Sequence, residues 1–146
     1  VNTMQNEMRL TLQSYSVNES FARGAVASFV SQLDPTVEEL SDLKTAVSEA
    51  VTNCIIHGYR DRIGIIYITA KYDDTAMVTI TVRDKGCGIP DIRQAMEPLF
   101  TTGGTEQAGL GFSVMESFTD HVIVRSVVGK GTTVTLQKRF DRRNMR

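Results

Sequence analysis

Along residues 6–14, NEMRLTLQS, apolar and polar positions alternate. Met8, Leu10 and Leu12 fall on one side; Glu7, Arg9, Thr11 and Gln13 fall on the other. A period of two predicts a strand with one buried face. In SVNESFARGAVASFVSQL, residues 16–33, the period lengthens. Phe21, Ala25, Phe29 and Leu33 repeat at helical spacing, and Ser16 with Glu19 has the spacing of a capping box. The stretch DPT then breaks the chain. Thr36 and Glu39 form a second capping-box pattern, which opens a long helix predicted to end at Gly58.

Two further strands are predicted, IIYITAKY (65–72) and MVTITVR (77–83), joined as a hairpin by a short connection holding Asp73 and Asp74. Residues 84–111 are rich in Gly, Thr and Pro, with one short helical piece near Ile92–Glu97. A long irregular stretch inside a compact domain is usually functional or mobile. Helix returns near Phe112–Phe118, and HVIVRSVVGKGTTVTLQKR reads as two strands around Gly129-Lys130-Gly131. The order β-α-α-β-β-loop-α-β-β predicts an α+β two-layer sandwich, with helices on one face of a mixed, mostly antiparallel sheet, in one domain over 1–146.

Composition narrows the function. With 146 residues and 41% hydrophobic positions, the chain can bury a sizeable core. A net charge of −1 does not suit direct nucleic-acid binding or an anionic membrane surface. The basic tail KRFDRRNMR reads as a solvated, frayed end. No apolar run approaches a membrane span, no signal peptide is evident, and the two cysteines, Cys54 and Cys87, lack metal-ligand spacing. A cytoplasmic location is expected.

Four pieces of sequence carry candidate chemistry. On the long helix Leu40, Leu43, Val47, Val51 and Cys54 centre an apolar stripe bounded by Ala50 and Ile55. Asn53 and His57 lie just outside the Ala50 edge, and Glu49 lies further round. A plain polar flank has the same spacing, and a histidine near a helix C-terminus gains from the dipole without any chemistry, so a structural helix-end role is expected for His57. The second piece is RDKGCGIPD, where Asp84 ends a strand and Gly86 and Gly88 follow it as D-x-G-x-G. A carboxylate there can accept from an exocyclic amine; a tight turn explains the glycines equally well. The third is TTGGTEQAGLGF, in which Gly109 and Gly111 open a helix, a place suited to phosphate. The fourth is GKGTT, whose Thr132 and Thr133 enter the last strand.

Taken in order, E-x-x-x-N, D-x-G-x-G, G-x-G and G-T-T resemble the GHKL superfamily of ATP-binding domains. Within it the chain is similar to the anti-sigma-factor serine kinases, the sporulation branch in particular. NESFAR, QLDPT, SEAVTN, IIHGY, RD-G-GIPD and PLFTT carry that resemblance over roughly residues 4–138.

The resemblance implies roles for these residues. Asn53 would ligate Mg²⁺ and Glu49 would be the catalytic base. Asp84 would accept the adenine amino group, with Gly86 and Gly88 passing the base and Thr133 helping from the adjoining strand. Gly109 and Gly111 would wrap the phosphates of ATP under a lid formed by 98–108. The family's partners are a sigma factor, held away from RNA polymerase, and a small STAS-type anti-anti-sigma protein phosphorylated on serine. Arg23, supported by Glu19, is the expected partner contact on the first helix, and the free edge of the first strand would mediate a homodimer.

One departure stands out. Family lids carry a cation ahead of the G-x-G, whereas residues 94–108 here contain no Lys or Arg, and Gln107 stands nearest its place. Lys85 or a partner residue is the expected substitute. Two alternatives therefore stay open: a nucleotide-binding anti-sigma module with weak or no kinase turnover, and a stress-response anti-sigma kinase of the same family. A histidine-kinase catalytic domain is disfavoured, since no dimerisation helix with a phospho-acceptor histidine precedes the Asn53 helix.

Overall fold

The computed structural model describes residues 4–97 and 105–141, with the backbone alone for 105–110. Strand β1 (Gln5–Gln13) leads to α1 (Val17–Val30), a 3₁₀ turn (Ser31–Leu33) and α2 (Val37–Asn53). Then come β2 (Ile65–Asp73), β3 (Met77–Asp84), the short α3 (Ile92–Ala95), α4 (Thr105–Phe118), β4 (His121–Val127) and β5 (Gly131–Arg139). The sheet order is β1-β2-β3-β5-β4 and every pairing is antiparallel. As expected, β1 is an edge strand.

Alternation assigns the two faces. Ile66, Ile68 and Ala70 of β2, Val78, Ile80 and Val82 of β3, and Val134 and Leu136 of β5 are buried. They meet Leu43, Ala46, Val47, Ala50 and Val51 of α2 in one core. The opposite face is a row of Thr69, Thr79, Thr81, Thr133 and Thr135 with charged neighbours, the half-wet face usual for an antiparallel sheet. Met8, Leu10 and Leu12 pack against the core as the alternation predicts. Among the described residues no helix is long and apolar enough to cross a membrane.

Four local expectations need correcting. The Thr36–Glu39 box forms in both directions, which contributes about 1 kcal/mol; Ser16, by contrast, has helical dihedrals and makes no side-chain cap. On α1 Ala22, Val26 and Val30 are buried; of the expected row Phe21 is 57% exposed, whereas Phe29 packs against the core and Leu33 is buried. The helical run does end at Gly58, but its last turn, Cys54–Gly58, is π-helical, closed by the Tyr59 N–H on the Cys54 carbonyl. Finally, α4 begins at Thr105, so Gly109 and Gly111 lie within it rather than at its opening.

Candidate functional site

A cavity opens where the π turn, the end of β3, α3 and α4 meet. Asn53, Cys54, His57, Asp84, Phe112 and Thr132 are among its walls. The apolar stripe of α2 turns Ala50 and Cys54 inward, so the flank beside it, with Asn53 and His57, faces the cavity. The expected helix-end role for His57 is half the picture. Its carbonyl accepts from Cys87 Sγ at 3.1 Å, and the residue lines the cavity. Burial, and then the Arg60 charge, push its imidazole pKa down.

At one end of the cavity the backbone is locked around Asp84. A Cβ on Gly86 would stand 2.1 Å from the Gly58 carbonyl oxygen, and one on Gly58 would stand 2.7 Å from Asp84 Oδ2. The Cys87 N–H donates to the Gly58 carbonyl at 2.9 Å, and the Gly86 N–H donates to Asp84 Oδ1 at 2.9 Å. The Tyr59 hydroxyl accepts the Lys85 N–H at 2.8 Å and donates to the Ile65 carbonyl. Asp84 is 4% exposed. Burial raises its carboxyl pKa, opposed by the Gly86 N–H, the Cys54 thiol and the Thr132 backbone. The second glycine, Gly88, takes a φ of 78° and presses on the β4–β5 turn, where a Cβ would meet the Val127 carbonyl at 2.4 Å.

These contacts revise two assignments. Gly88 lines the cavity, but Gly86 does not; it holds the carboxylate and lets two backbone segments touch. Thr133 lies on the outer sheet face with Tyr67, Thr81 and Arg83. Thr132, paired with Asp84 in register, is the threonine at the cavity, its hydroxyl 2.8 Å from that of Ser126. The signal was present in the sequence: with Val134 and Leu136 inward, period two puts Thr132 inward as well.

The other end is less complete. Asn53 Nδ2 is buried and has no hydrogen-bond partner among the described residues, a costly state for a polar group. A Cβ on Gly111 would lie 3.2 Å from both Asn53 Oδ1 and Glu49 Oε2, so α4 rests directly on this pair. Glu49 itself faces the adjoining groove between α1 and α2, with Arg23 and Lys44. Burial raises its pKa, and the charge of Glu19 adds to the shift. Glu19 and Arg23 form an ion pair at 3.2 Å, one turn apart on α1.

Two expectations about cations change. Lys85 does not reach the cavity: its ammonium sits 5.0 Å from the centre of the Tyr67 ring on the outer face. Arg60, which the sequence reading passed over, does line the cavity, as do Ile89 and Pro90. The lid residues 98–104 lie outside the described residues, as do the side chain of Gln107 and the surroundings of Gly109.

Comparison with known proteins adds a family. Residues 15–138 match the model of the histidine kinase-like ATPase domain. An anti-sigma F factor of Geobacillus stearothermophilus is 57% identical over 139 residues, covering 94% of each chain. One from Thermoanaerobacter sp. (strain X514) is 58% identical over 134 residues, covering 91% of this chain and 93% of its own. One from Lysinibacillus sphaericus is 53% identical over 139 residues, covering 94% of each. Among solved structures, the RsbU and RsbW domains of a Mycobacterium tuberculosis protein align with a TM-score of 0.69 at 20% identity, covering 92% of this chain and 32% of that one. A blue-light activated histidine kinase of Erythrobacter litoralis aligns with a TM-score of 0.59 at 21% identity, covering 82% and 41%. At those identities the two structures speak for the fold alone.

Proposed function

The chain belongs to the histidine kinase-like ATPase domain family and, within it, to the anti-sigma F factors, and from that premise we propose that it binds ATP, holds a sporulation sigma factor and phosphorylates a serine on a STAS-type anti-anti-sigma protein. The observation that carries nucleotide binding is the pairing of a locked, buried carboxylate, Asp84, with Asn53, whose Nδ2 has no partner among the described residues, across one cavity. Asp84, a hydrogen-bond acceptor on the cavity wall, would accept from an exocyclic amine, which favours adenine over guanine. Thr132 stands beside it.

The residues present fit Mg²⁺. A carboxamide interchanges its oxygen and nitrogen by a half turn, and Asn53 Nδ2 has no partner among the described residues. Mg²⁺ needs only one or two protein oxygens when phosphates and waters supply the rest. When bound, the ion would neutralise phosphate charge at the transferred group. Asn53 would hold it, and α4, resting on Asn53 and Glu49 through Gly111, would exclude water from that end.

Glu49 is the proposed base. Its raised pKa suits a group that must take a proton from a serine hydroxyl. It opens on the groove it shares with Arg23, so a partner engaging Arg23 would bring a hydroxyl to Glu49 along one surface. On this proposal the sigma factor and the anti-anti-sigma protein both use the Arg23–Glu19 face, and a homodimer forms through the β1 edge.

A second reading, a nucleotide-binding anti-sigma module with little turnover, is favoured by the absence of Lys and Arg from 94–108 and by the outward placement of Lys85. Calorimetry with Mg·ATP, followed by γ-³²P transfer to the cognate anti-anti-sigma protein, separates the two. Heat and labelled serine support the kinase. Heat without label supports the binding module. No heat sinks both.

A further inference from the structure

Ser126 of β4 joins two residues of the cavity wall. Its hydroxyl oxygen accepts the Ile89 N–H at 2.7 Å, stands 2.8 Å from the Thr132 hydroxyl and stands 3.0 Å from the Gly131 carbonyl oxygen. Ile89 and Thr132 both line the cavity. These three contacts fix the protons. A serine hydroxyl has one proton to give and two lone pairs. The Ile89 N–H can only donate, and the Gly131 carbonyl can only accept. All three contacts are hydrogen bonds only when Ser126 gives its proton to Gly131 and Thr132 gives its own proton to Ser126. Thr132 then keeps lone pairs alone for a ligand.

Thr132 stands opposite Asp84 in the β3–β5 register, so the two side chains leave the sheet on one face. Facing residues of an antiparallel pair have Cβ atoms about 4.5–5.5 Å apart. Two acceptors at about that separation match the two N–H bonds of a single amino group, each about 2.9 Å from its acceptor. We propose that Ser126 is a positioning residue that holds Thr132 as a second acceptor beside Asp84, so that the pair takes both hydrogens of one exocyclic amine, a role that rests on the ATP reading above. A guanine carbonyl in the same place would meet two acceptors and no donor. Selection of adenine is thus shared with a β4 residue that reaches the base only through Thr132.

The competing explanation is a brace: Ser126 satisfies the backbone groups of Ile89 and Gly131 and adds stability alone. Titrations of the Mg²⁺ complexes of ATP and of purine riboside triphosphate, which lacks the amino group, separate the two. They are run on wild type, Ser126→Ala, Ser126→Thr, Thr132→Val and the double variant Ser126→Ala/Thr132→Val, each with a thermal melt. Wild type is expected to prefer ATP. Ser126→Ala should cut that preference by about fivefold, and Ser126→Thr, which keeps the hydroxyl, should restore it. Thr132→Val should cut it by a similar factor. The double variant should lose no more than Thr132→Val alone, because the two residues act as one unit. A brace lowers the melting temperature and weakens both nucleotides alike, and that result overturns the assignment. So does an equal further loss from Ser126→Ala in the Thr132→Val background. A Thr132→Val variant with the wild-type preference also overturns it, whether or not the Ser126 variants fold. If wild type itself binds no ATP, the nucleotide reading fails and Ser126 with it; wild-type binding with an unaltered preference in Ser126→Ala sinks Ser126 alone.

Discussion

The two ends of the cavity are built on opposite terms. Around Asp84 every contact is closed: Gly58 touches the carboxylate, Gly86 touches Gly58, and Tyr59 ties the strand exit to the helix end. Around Asn53 a buried amide nitrogen has no partner among the described residues and Glu49 is raised in pKa. On the proposed function, the end at Asp84 would take the base and the end at Asn53 the phosphates. Changes at the first end should show in stability and changes at the second in function.

The largest expected effect is at the second end. Glu49→Gln keeps ATP binding while phosphoryl transfer falls by about 10²–10⁴-fold, measured with labelled ATP; transfer at the wild-type rate would show that another group takes the proton. In wild type, transfer should rise with pH as Glu49 ionises, with its midpoint above the ordinary glutamate value, since burial raises that pKa.

Next comes the locked end. Gly86→Ala forces a Cβ to 2.1 Å from a backbone carbonyl and should cost about 3 kcal/mol of stability, read from denaturant unfolding. A loss below the error of the measurement would show that the two segments separate easily, and the contrast would lose its first half.

Asn53→Ala should do the reverse. Mg²⁺-dependent ATP affinity should fall by about 100-fold, as a lost charge-linked ligand implies. Stability should hold or rise, because the change removes a buried amide nitrogen that has no partner among the described residues. A large loss of stability would mean the amide is part of the fold's own bonding.

The smallest effect sharpens the comparison through pH. Asp84's pKa is raised in the folded chain, so the folded state holds its proton to higher pH than the unfolded state does. Stability from this group is present below the unfolded value, about 3.8, and is lost as pH climbs to the raised folded value. Asp84→Asn should flatten that decline and hold or raise the melting temperature at neutral pH, while ATP loses its advantage over GTP.

Much of this was legible in the chain. Period two set β1, β2, β3 and β5, and the Thr36–Glu39 box and the apolar stripe set α2, because alternation and capping act over a few residues. Asp84, Asn53 and Gly88 were found at the cavity. Thr132 could have been found by carrying the same alternation two residues further. On α1 two adjacent rows are apolar, Phe21-Ala25-Phe29 and Ala22-Val26-Val30, and no local rule chooses between them. Tertiary packing buries the second row and keeps Phe29 of the first against the core, leaving Phe21 exposed.

What residues 1–146 determined alone was the set of elements, their order and the polar row at 49, 53 and 57, since each depends on spacing along the chain. Tertiary structure decided which of these groups share a space. Phe112 of α4 meets Asn53 and Cys54 of the helix end at one cavity, Tyr67 holds Lys85 on the outer face, and the backbone of Gly58 touches Gly86 beside Asp84. Each of these is a meeting of segments distant in sequence, and periodicity carries no information about such meetings.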